Sequence, residues 1–323
     1  INMVTWEEKN LLKYKNSCSS NPIIFPSMTI TSSTVTDGDE SNDASISLTF
    51  TSSAATTNFV VGDISVTNGS ISSFAGSGTT YTATFTPSIT GDTTINVDAG
   101  VYTDVLGNSN IAASEFNWTY NNTQPTMTIT SSTVNDGGST NVAAIDFSFI
   151  ASAATSDFSD QDITVSGGTI TKFDGSGTNY SATFTSVGSG NKSISVGAGV
   201  YTDSAGNSNE ATSEFNWSYN NTQPTMTITS STVNDGGSTN VAAIDFSFIA
   251  SAATSDFSDQ DITVSGGTIT KFDGSGTNYS ATFTSVGSGN KSISVGAGVY
   301  TDSAGNSNEA TSEFNWTYNN TQP

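Results

Sequence analysis

The sequence predicts an all-β protein made of three tandem two-sheet sandwiches, each with about seven short strands. Three observations lead to this fold class. Apolar residues alternate with polar ones, glycine-containing turn signals interrupt the alternation at short intervals, and the whole pattern recurs every 99 residues. The repeated segments do not show the spacing of an amphipathic helix.

The repeat is defined by a proline-initiated strand. "PSMTITSSTV" starts at Pro26, and "PTMTITSSTV" starts at Pro125 and again at Pro224. The predicted segments are a non-repeat stretch 1–25, domains 26–124 (repeat 1), 125–223 (repeat 2) and 224–322 (repeat 3), and Pro323 as the start of a further repeat. Repeats 2 and 3 differ only at Ser218 and Thr317. Two domains of nearly the same sequence are expected to have the same function.

Each strand of repeat 2 is predicted from apolar residues that lie two positions apart. These are Met127 and Ile129; Ile145, Phe147 and Phe149; Ile163 and Val165; Tyr180, Ala182 and Phe184; Ile194 and Val196; and Phe215, Trp217 and Tyr219. Residues 168–173 complete the seven strands. Turn signals separate them, including "NDGG" at 135–138 and "DGSG" at 174–177. This arrangement predicts an antiparallel sandwich of immunoglobulin type.

The linkers between repeats are short and contain proline. "NNTQP" occupies 121–125 and 220–224. Proline fixes its own φ and restricts the residue before it. We therefore expect successive domains to be arranged end to end.

The composition excludes most catalytic chemistry. The chain has no histidine, all 7 of its basic residues are lysine, and Cys18 is its one cysteine. Imidazole bases, Cys–His pairs and the usual zinc ligand sets are therefore missing. Carboxylates on convex loops also offer no cleft for a glycosidase pair. We predict that the chain is not an enzyme.

The charge and hydropathy argue against two classes of partner. A formal net charge of −22 disfavours nucleic acid and anionic lipid surfaces, which need clustered lysine and arginine. No apolar run reaches the roughly 18 residues of a membrane span, so we predict no membrane insertion.

Several segments of the repeats resemble a known family. "DITVSGGTITKF", "YSATFTSVGSGNKSISVGAGVYTDSAGNSN" and "FNWSYNNTQPTMTI" are similar to the bacterial Ig-like (Big) repeats of large surface adhesins and other extracellular repeat proteins. The resemblance covers residues 26–322, and its most specific element is the Asp-x-x-Gly-Asn loop, Asp203, Gly206 and Asn207 in repeat 2. It implies an Ig-like sandwich and an extracellular location, on a cell or virion surface. One departure is that the linkers carry Asn where many such repeats carry Asp.

Acidic residues concentrate where one repeat would meet the next. In an Ig-type topology the loop with Asp203 lies at the N-terminal pole of repeat 2, facing the domain before it. Calcium takes several oxygens from carboxylates, amides and carbonyls in adaptable geometry. We therefore predict calcium at both joints. The candidate ligands are Asp37 or Asp39, Asn121 or Asn122, and Asp203 at the first joint, and Asp136, Asn220 and Asp302 at the second.

The same loop also has an interpretation without a metal. Asp203 and Asn207, with Gly206 between them, can close an Asx-type turn. The residues alone leave the turn and the ion site both open.

The predicted function is a stalk or spacer of an extracellular adhesin or fibre, whose partners are the neighbouring repeats of the same chain. Two alternatives stay open. One is a subunit of an assembled filament of like chains, with residues 21–30 as a candidate donor strand. The other is an adhesive module that binds host-surface glycans or cells. The near-identity of repeats 2 and 3 favours the spacer.

Overall fold

The computed structural model describes residues 23–321. These residues form two compact units. The first takes in the described residues up to Pro125 together with the loop Thr202–Ser208, and the second takes in Thr126–Tyr201 and the residues from Asn209 onward. The predictions made for residues 1–22 and for Pro323 lie outside the described residues.

Repeat 1 lies in the first unit and contains seven strands. They are β1 (Met28–Ser32), β2 (Glu40–Ser41), β3 (Ile46–Thr56), β4 (Ile64–Thr67), β5 (Gly69–Pro87), β6 (Gly91–Val97) and β7 (Phe116–Tyr120). They form two sheets, in the orders β1-β3-β5 and β2-β7-β6-β4. Because β1 pairs with β3 of its own repeat, the end of the candidate donor strand is used inside repeat 1.

Repeats 2 and 3 form the same two sheets in the second unit. Repeat 2 contains β8 (Met127–Ser131), β9 (Gly138–Thr140), β10 (Ala144–Thr155), β11 (Ile163–Ser166), β12 (Gly168–Ser186), β13 (Gly190–Val196) and β14 (Phe215–Tyr219). Repeat 3 contains β15 (Met226–Ser230), β16 (Gly237–Thr239), β17 (Ala243–Thr254), β18 (Ile262–Ser265), β19 (Gly267–Ser285), β20 (Gly289–Val295) and β21 (Phe314–Tyr318). The predicted fold class, three tandem seven-stranded Ig-like sandwiches, is confirmed.

The core of each repeat lies between its two sheets. In repeat 2, Phe147 and Phe184 from one sheet contact Trp217 from the other, with ring centroids 5.2 Å and 4.7 Å from the indole. All three side chains are buried, as is Phe149. Burying one large apolar side chain stabilises a fold by about 1.5–3 kcal/mol. The core of repeat 2 is therefore built from aromatic side chains, and its tryptophan points inward.

The residues of β12 form a β-hairpin, with two arms joined by a tight turn. The Thr171 hydroxyl donates to the Thr183 carbonyl at 3.3 Å, and the rings of Phe173 and Tyr180 stack with centroids 5.8 Å apart. Between these pairs lies the predicted turn 174–177, whose two glycines have φ of +133° and +65°. The two strands predicted here are thus the arms of a hairpin, and the seven-strand count is reached differently from the prediction.

Strand β9 completes that count, and the sequence pattern did not predict it. The sequence predicts only a turn for "NDGG" at 135–138, yet Gly138–Thr140 pairs in parallel with the last strand, from Trp217 to Tyr219. Strands β2 and β16 make the equivalent parallel pairs. Three polar or small residues show no alternation, so the pattern could not reveal them.

Two glycines of repeat 1 show how closely the backbone packs. A Cβ at Gly69 would lie 2.2 Å from Cζ of Phe85, whereas a Cβ at Gly62 would meet nothing within 4 Å. Gly69 therefore makes room for a core ring, and Gly62 does not. Across residues 23–321 there is no helix long and apolar enough to cross a membrane.

Candidate functional site at the repeat joints

The acidic loop of repeat 3 closes around its own carboxylate. Oδ1 of Asp302 accepts the backbone N–H of Ala304 at 3.0 Å and of Asn306 at 2.8 Å. The side-chain amide of Asn306 donates to Oδ2 at 3.1 Å. Gly305 turns the chain with φ of +88°. The loop thus forms the Asx-type turn that is one of the two interpretations given for the equivalent loop of Asp203.

A second asparagine holds the base of the loop. Asn308 is 1% exposed. Its Oδ1 accepts from the backbone of Val299 and Tyr300, and its Nδ2 donates to the carbonyls of Gly296 and Glu309, all at 2.7–3.1 Å. These bonds satisfy both lone pairs and both protons of the amide. The loop is therefore presented in one defined shape.

In the second unit this loop is bound to the linker and pole of repeat 2. Nδ2 of Asn306 also donates to the carbonyl of Asn220 at 2.9 Å. The backbone N–H of Asn141 donates to the carbonyl of Ala304 at 2.9 Å. Nε2 of Gln223 donates to the carbonyl of Ser307 at 3.2 Å. Nδ2 of Asn141 also donates to the carbonyl of Gly305 at 2.8 Å, so several hydrogen bonds join the loop to the repeat before it.

The first unit contains the equivalents of the first three bonds, made by the loop Thr202–Ser208. Asn207 Nδ2 donates to the carbonyl of Asn121 at 2.9 Å, and Gln124 Nε2 donates to the carbonyl of Ser208 at 3.2 Å. The backbone N–H of Asn42 donates to the carbonyl of Ala205 at 2.9 Å. The pattern recurs although repeat 1 has diverged in sequence.

One acidic side chain distinguishes the loop contact of the first unit. Oε2 of Glu40 accepts the hydroxyl of Ser204 at 3.0 Å, and Oε1 accepts Nδ2 of Asn121 at 2.9 Å. The position equivalent to Glu40 is Ser139. In the second unit the linker amide, from Asn220, instead donates to Oδ2 of Asp302 at 3.1 Å.

The structure brings some of the predicted calcium ligands together and separates others. Asp302 contacts Asn220 directly, and Asp203 is linked to Asn121 through Asn207, which donates to both. The other three carboxylates accept backbone N–H groups of their own repeat: Asp37 from Asn117, Asp39 from Thr36 and Asp136 from Asn216.

The groups around these carboxylates are mainly N–H donors, which a cation cannot use as ligands. In residues 23–321 there is also no group of three or more His, Cys, Asp or Glu side chains that could hold a metal ion. The side chains as placed therefore satisfy one another and do not converge on a common centre.

Hydrogen bonding and burial shift several pKa values near these loops. In repeat 1 the side-chain amide of Asn108, helped by backbone N–H groups, lowers the pKa of Asp104. In repeat 3, burial acts to raise the pKa of Asp256, but bonds from Thr254 and Thr301 outweigh it and the pKa is lowered. Burial raises the pKa of Tyr201 to about 12.

Sequence reasoning missed the residues that make the joint bonds. The sequence predicts only turn closure for Asn207, and it predicts no role for Asn306 or for the linker glutamines Gln124 and Gln223. One signal was available. The diverged repeat 1 keeps Asn108 and Gln124 in the register of the other copies, although a turn alone does not need a glutamine in the linker.

A family model described as a bacterial Ig-like domain matches the chain three times, over residues 24–120, 121–219 and 220–318. The chain belongs to this bacterial Ig-like domain family. The three matches cover most of the chain, and each contains both sheets of one repeat. No curated protein matches the chain.

Solved structures similar to these bacterial Ig-like repeats include bacterial surface proteins. Invasin, described as a bacterial integrin-binding protein, is 12% identical with a TM-score of 0.34, covering 84% of this chain and 56% of its own. The Yersinia pseudotuberculosis adhesin InvE is 13% identical with a TM-score of 0.24, covering 60% of this chain and 58% of its own. The BSP domain of a biofilm-associated protein is 10% identical with a TM-score of 0.26, covering 98% and 70%. The chain thus spans just over half the length of the first two proteins.

Proposed function

We propose that the chain is a non-catalytic spacer made of bacterial Ig-like repeats, which extends an extracellular adhesin or fibre away from the surface of a cell or virion. The observation that carries the proposal is the set of three hydrogen bonds that joins the acidic loops of repeats 2 and 3 to the linker and pole before them. Family membership supports the extracellular role. A spacer needs repeated domains with defined joints, and this set supplies them.

The chemistry of the joint bonds suits a repeated element. Each of the three bonds has a backbone carbonyl as acceptor, and each donor is a backbone N–H or a side-chain amide. Each such bond contributes about 0.5–1.5 kcal/mol net. Three bonds beside a short proline-containing linker restrict bending more than the linker would alone. Because the same groups recur in each repeat, further copies add length without new contacts.

The described carboxylates support the non-catalytic part of the proposal. Asp203 and Asp302 accept several N–H groups within their own loops, and Asp37, Asp136 and Asp235 each accept the backbone N–H of a strand residue. Each carboxylate therefore has a structural role.

The test is small-angle X-ray scattering of the full chain beside the double variant N207A/N306A, which removes the side-chain bonds to both linker carbonyls. We expect the wild-type particle to approach the summed length of its domains. The variant should show a broader distance distribution with a shorter mean. A wild-type chain whose distribution already matches that of the variant would overturn the proposal.

Calcium stiffening of the joints is part of the same proposal and stays a prediction. The test compares scattering and thermal unfolding of the full chain in EDTA and in millimolar calcium. A higher melting temperature with a longer particle in calcium is the expected result, and it should be lost in the double variant D203N/D302N. If neither quantity changes, stiffness comes from hydrogen bonds and linkers alone.

A further inference from the structure

Repeat 1 exposes an apolar surface at the end where the chain enters it. We call this surface the apolar pole and define it as residues 23–25, 60–61, 105–106 and Ile111, all of which carry exposed large apolar side chains. Leu106 is 84% exposed and Val105 is 67% exposed. Apolar residues scattered singly on a surface are normal, but clusters of them mark interaction sites.

Hydrogen bonds bring the parts of the apolar pole to one end of the sandwich. The backbone N–H of Val105 donates to the carbonyl of Ala55 at 3.1 Å. The N–H of Thr103 donates to Oδ1 of Asn58 at 3.1 Å, which joins the loop of Val105 to the loop of residues 60–61. The N–H of Ile111 donates to the carbonyl of Pro26 at 2.9 Å, next to residues 23–25.

Repeats 2 and 3 carry polar or small residues at every position of the apolar pole. Where repeat 1 has Val105 and Leu106, both other copies have Ser-Ala, and where it has Ile111 they have glutamate. Residues 60–61 are Val-Val in repeat 1 and Ser-Asp in the others, and residues 23–25 are Ile-Ile-Phe where the others have Asn-Thr-Gln. The apolar character is thus confined to the copy that no matching repeat precedes in this sequence.

The loop itself is unchanged beneath these side chains. Asp104 and Asn108 make the same closing bonds as Asp302 and Asn306. In repeats 2 and 3 the residue equivalent to Leu106 is an alanine that is only 6–7% exposed, and its carbonyl accepts from the preceding pole. Repeat 1 therefore keeps the docking loop but presents apolar side chains in place of a polar docking surface.

We propose that residues 1–22 of this chain cover the apolar pole. The segment ends where the pole begins, at residue 23, and it carries Trp6, Leu11 and Leu12 as apolar side chains. It is also complementary in charge. The segment holds 3 of the 7 lysines and has a net charge of +1, whereas the loops that carry the apolar pole contain Asp63 and Asp104 and no basic residue. The N-terminal segment thus takes the place that a preceding repeat has in the other copies.

The test uses the full chain and the variant V105S/L106A, which installs the residues that repeats 2 and 3 have at these positions. Trypsin cuts after Lys9, Lys13 and Lys15, so its rate at these sites reports how often the segment leaves the pole. We expect cleavage in V105S/L106A to be about ten-fold faster than in wild type, because proteolysis follows the population of the open form. The matched control is I89S, since Ile89 is also highly exposed but lies on the loop that bonds to Asn68.

Fluorescence gives a second measurement that does not depend on protease. Trp118, Trp217 and Trp316 are buried in the repeats, so the difference between wild type and W6F isolates the emission of Trp6. We expect that emission to shift to the red in V105S/L106A and to stay unchanged in I89S.

Two results would overturn the proposal. One is equal cleavage and equal Trp6 emission in wild type and V105S/L106A. The other is a concentration-dependent dimer in light scattering that only V105S/L106A abolishes, which would assign the apolar pole to a second copy of the chain.

Discussion

The contribution of one joint bond can be isolated by comparing N306A with N108A. The side-chain amide of Asn306 donates both to Asp302 in its own loop and to the linker carbonyl of Asn220. Within the described residues, the side chain of Asn108 donates only to Asp104, in the equivalent loop. Both substitutions open the same loop bond, but only N306A also removes a bond to the preceding repeat.

The difference between the two variants has a calculable size. The loss of the loop bond is common to both and cancels. What is left is one neutral amide–carbonyl bond of 2.9 Å, which contributes about 0.5–1.5 kcal/mol net. We therefore expect N306A to increase the opening of the repeat 3 loop by a factor about five times larger than the factor by which N108A increases the opening of the repeat 1 loop. The reason is that 1 kcal/mol is about a five-fold change in an equilibrium.

Hydrogen exchange of the full chain, measured by mass spectrometry, can detect this difference. Repeats 2 and 3 share their loop peptide, but the substitution gives the peptide of N306A a mass of its own. The reporting amides are those of Asp302 and Gly305, which bond within the loop. If N306A and N108A accelerate exchange by the same factor relative to their wild-type loops, the bond to Asn220 contributes nothing and the argument for hydrogen-bonded joints is wrong.

Three further predictions concern the stability of single repeats. G69A should destabilise repeat 1 by about 1–3 kcal/mol, because a methyl group there overlaps a core ring, whereas G62A should be near neutral; calorimetry measures both. A151S should stabilise repeat 2 by about 1 kcal/mol and lower the pKa of Tyr201 from about 12 in an absorbance titration, because it gives that buried hydroxyl a partner. The lowered pKa of Asp104 means that its charged form stabilises repeat 1 above pH 3.8 and that this stability is lost as pH falls through the lower folded pKa. D104N should therefore flatten the fall of melting temperature below that pH.

For each of these three predictions, one result would contradict the reasoning. Equal stabilities of G69A and G62A would mean that the backbone moves to accept the methyl group. An unchanged titration in A151S would show that the serine does not reach Tyr201, although the equivalent Ser52 and Tyr102 lie 3.2 Å apart. A D104N profile parallel to wild type would assign the acid sensitivity of repeat 1 to other carboxylates.

The fold was predictable from the sequence because its signals are local and repeated. Alternation in Ile145, Phe147 and Phe149 placed a half-buried strand, and the glycines at 174–177 placed the turn of a hairpin. The parallel strand Gly138–Thr140 was not predictable, because its pairing partner lies about 80 residues away and its side chains carry no pattern.

The sequence predicted where the joint lies, but not which groups form its hydrogen bonds. The topology correctly assigned the loops of Asp203 and Asp302 to the side of the preceding linker. The topology could not show that the side-chain amide of Asn306 donates both to a carboxylate and to a linker carbonyl. These bonds depend on the direction of the side chain within the turn. Nor could the topology show that Asp37 and Asp136 bond to their own last strands.

The parallel pairing of the short strand β9 with β14 determines how a repeat would respond to pulling. The chain enters a repeat through β8, which pairs with β10, and leaves it at the end of β14. Once β8 is released, tension acts on the start of β9 and the end of β14 and slides these two strands past each other. Bonds in that geometry are loaded in shear and break together, whereas an antiparallel hairpin pulled from its open end unzips one bond at a time. Repeat 1 makes the same pairing: the backbone N–H of Gly38 donates to the carbonyl of Asn117, and the N–H of Asn121 donates to the carbonyl of Ser41. The diverged copy therefore keeps the same resistance to tension as the other two.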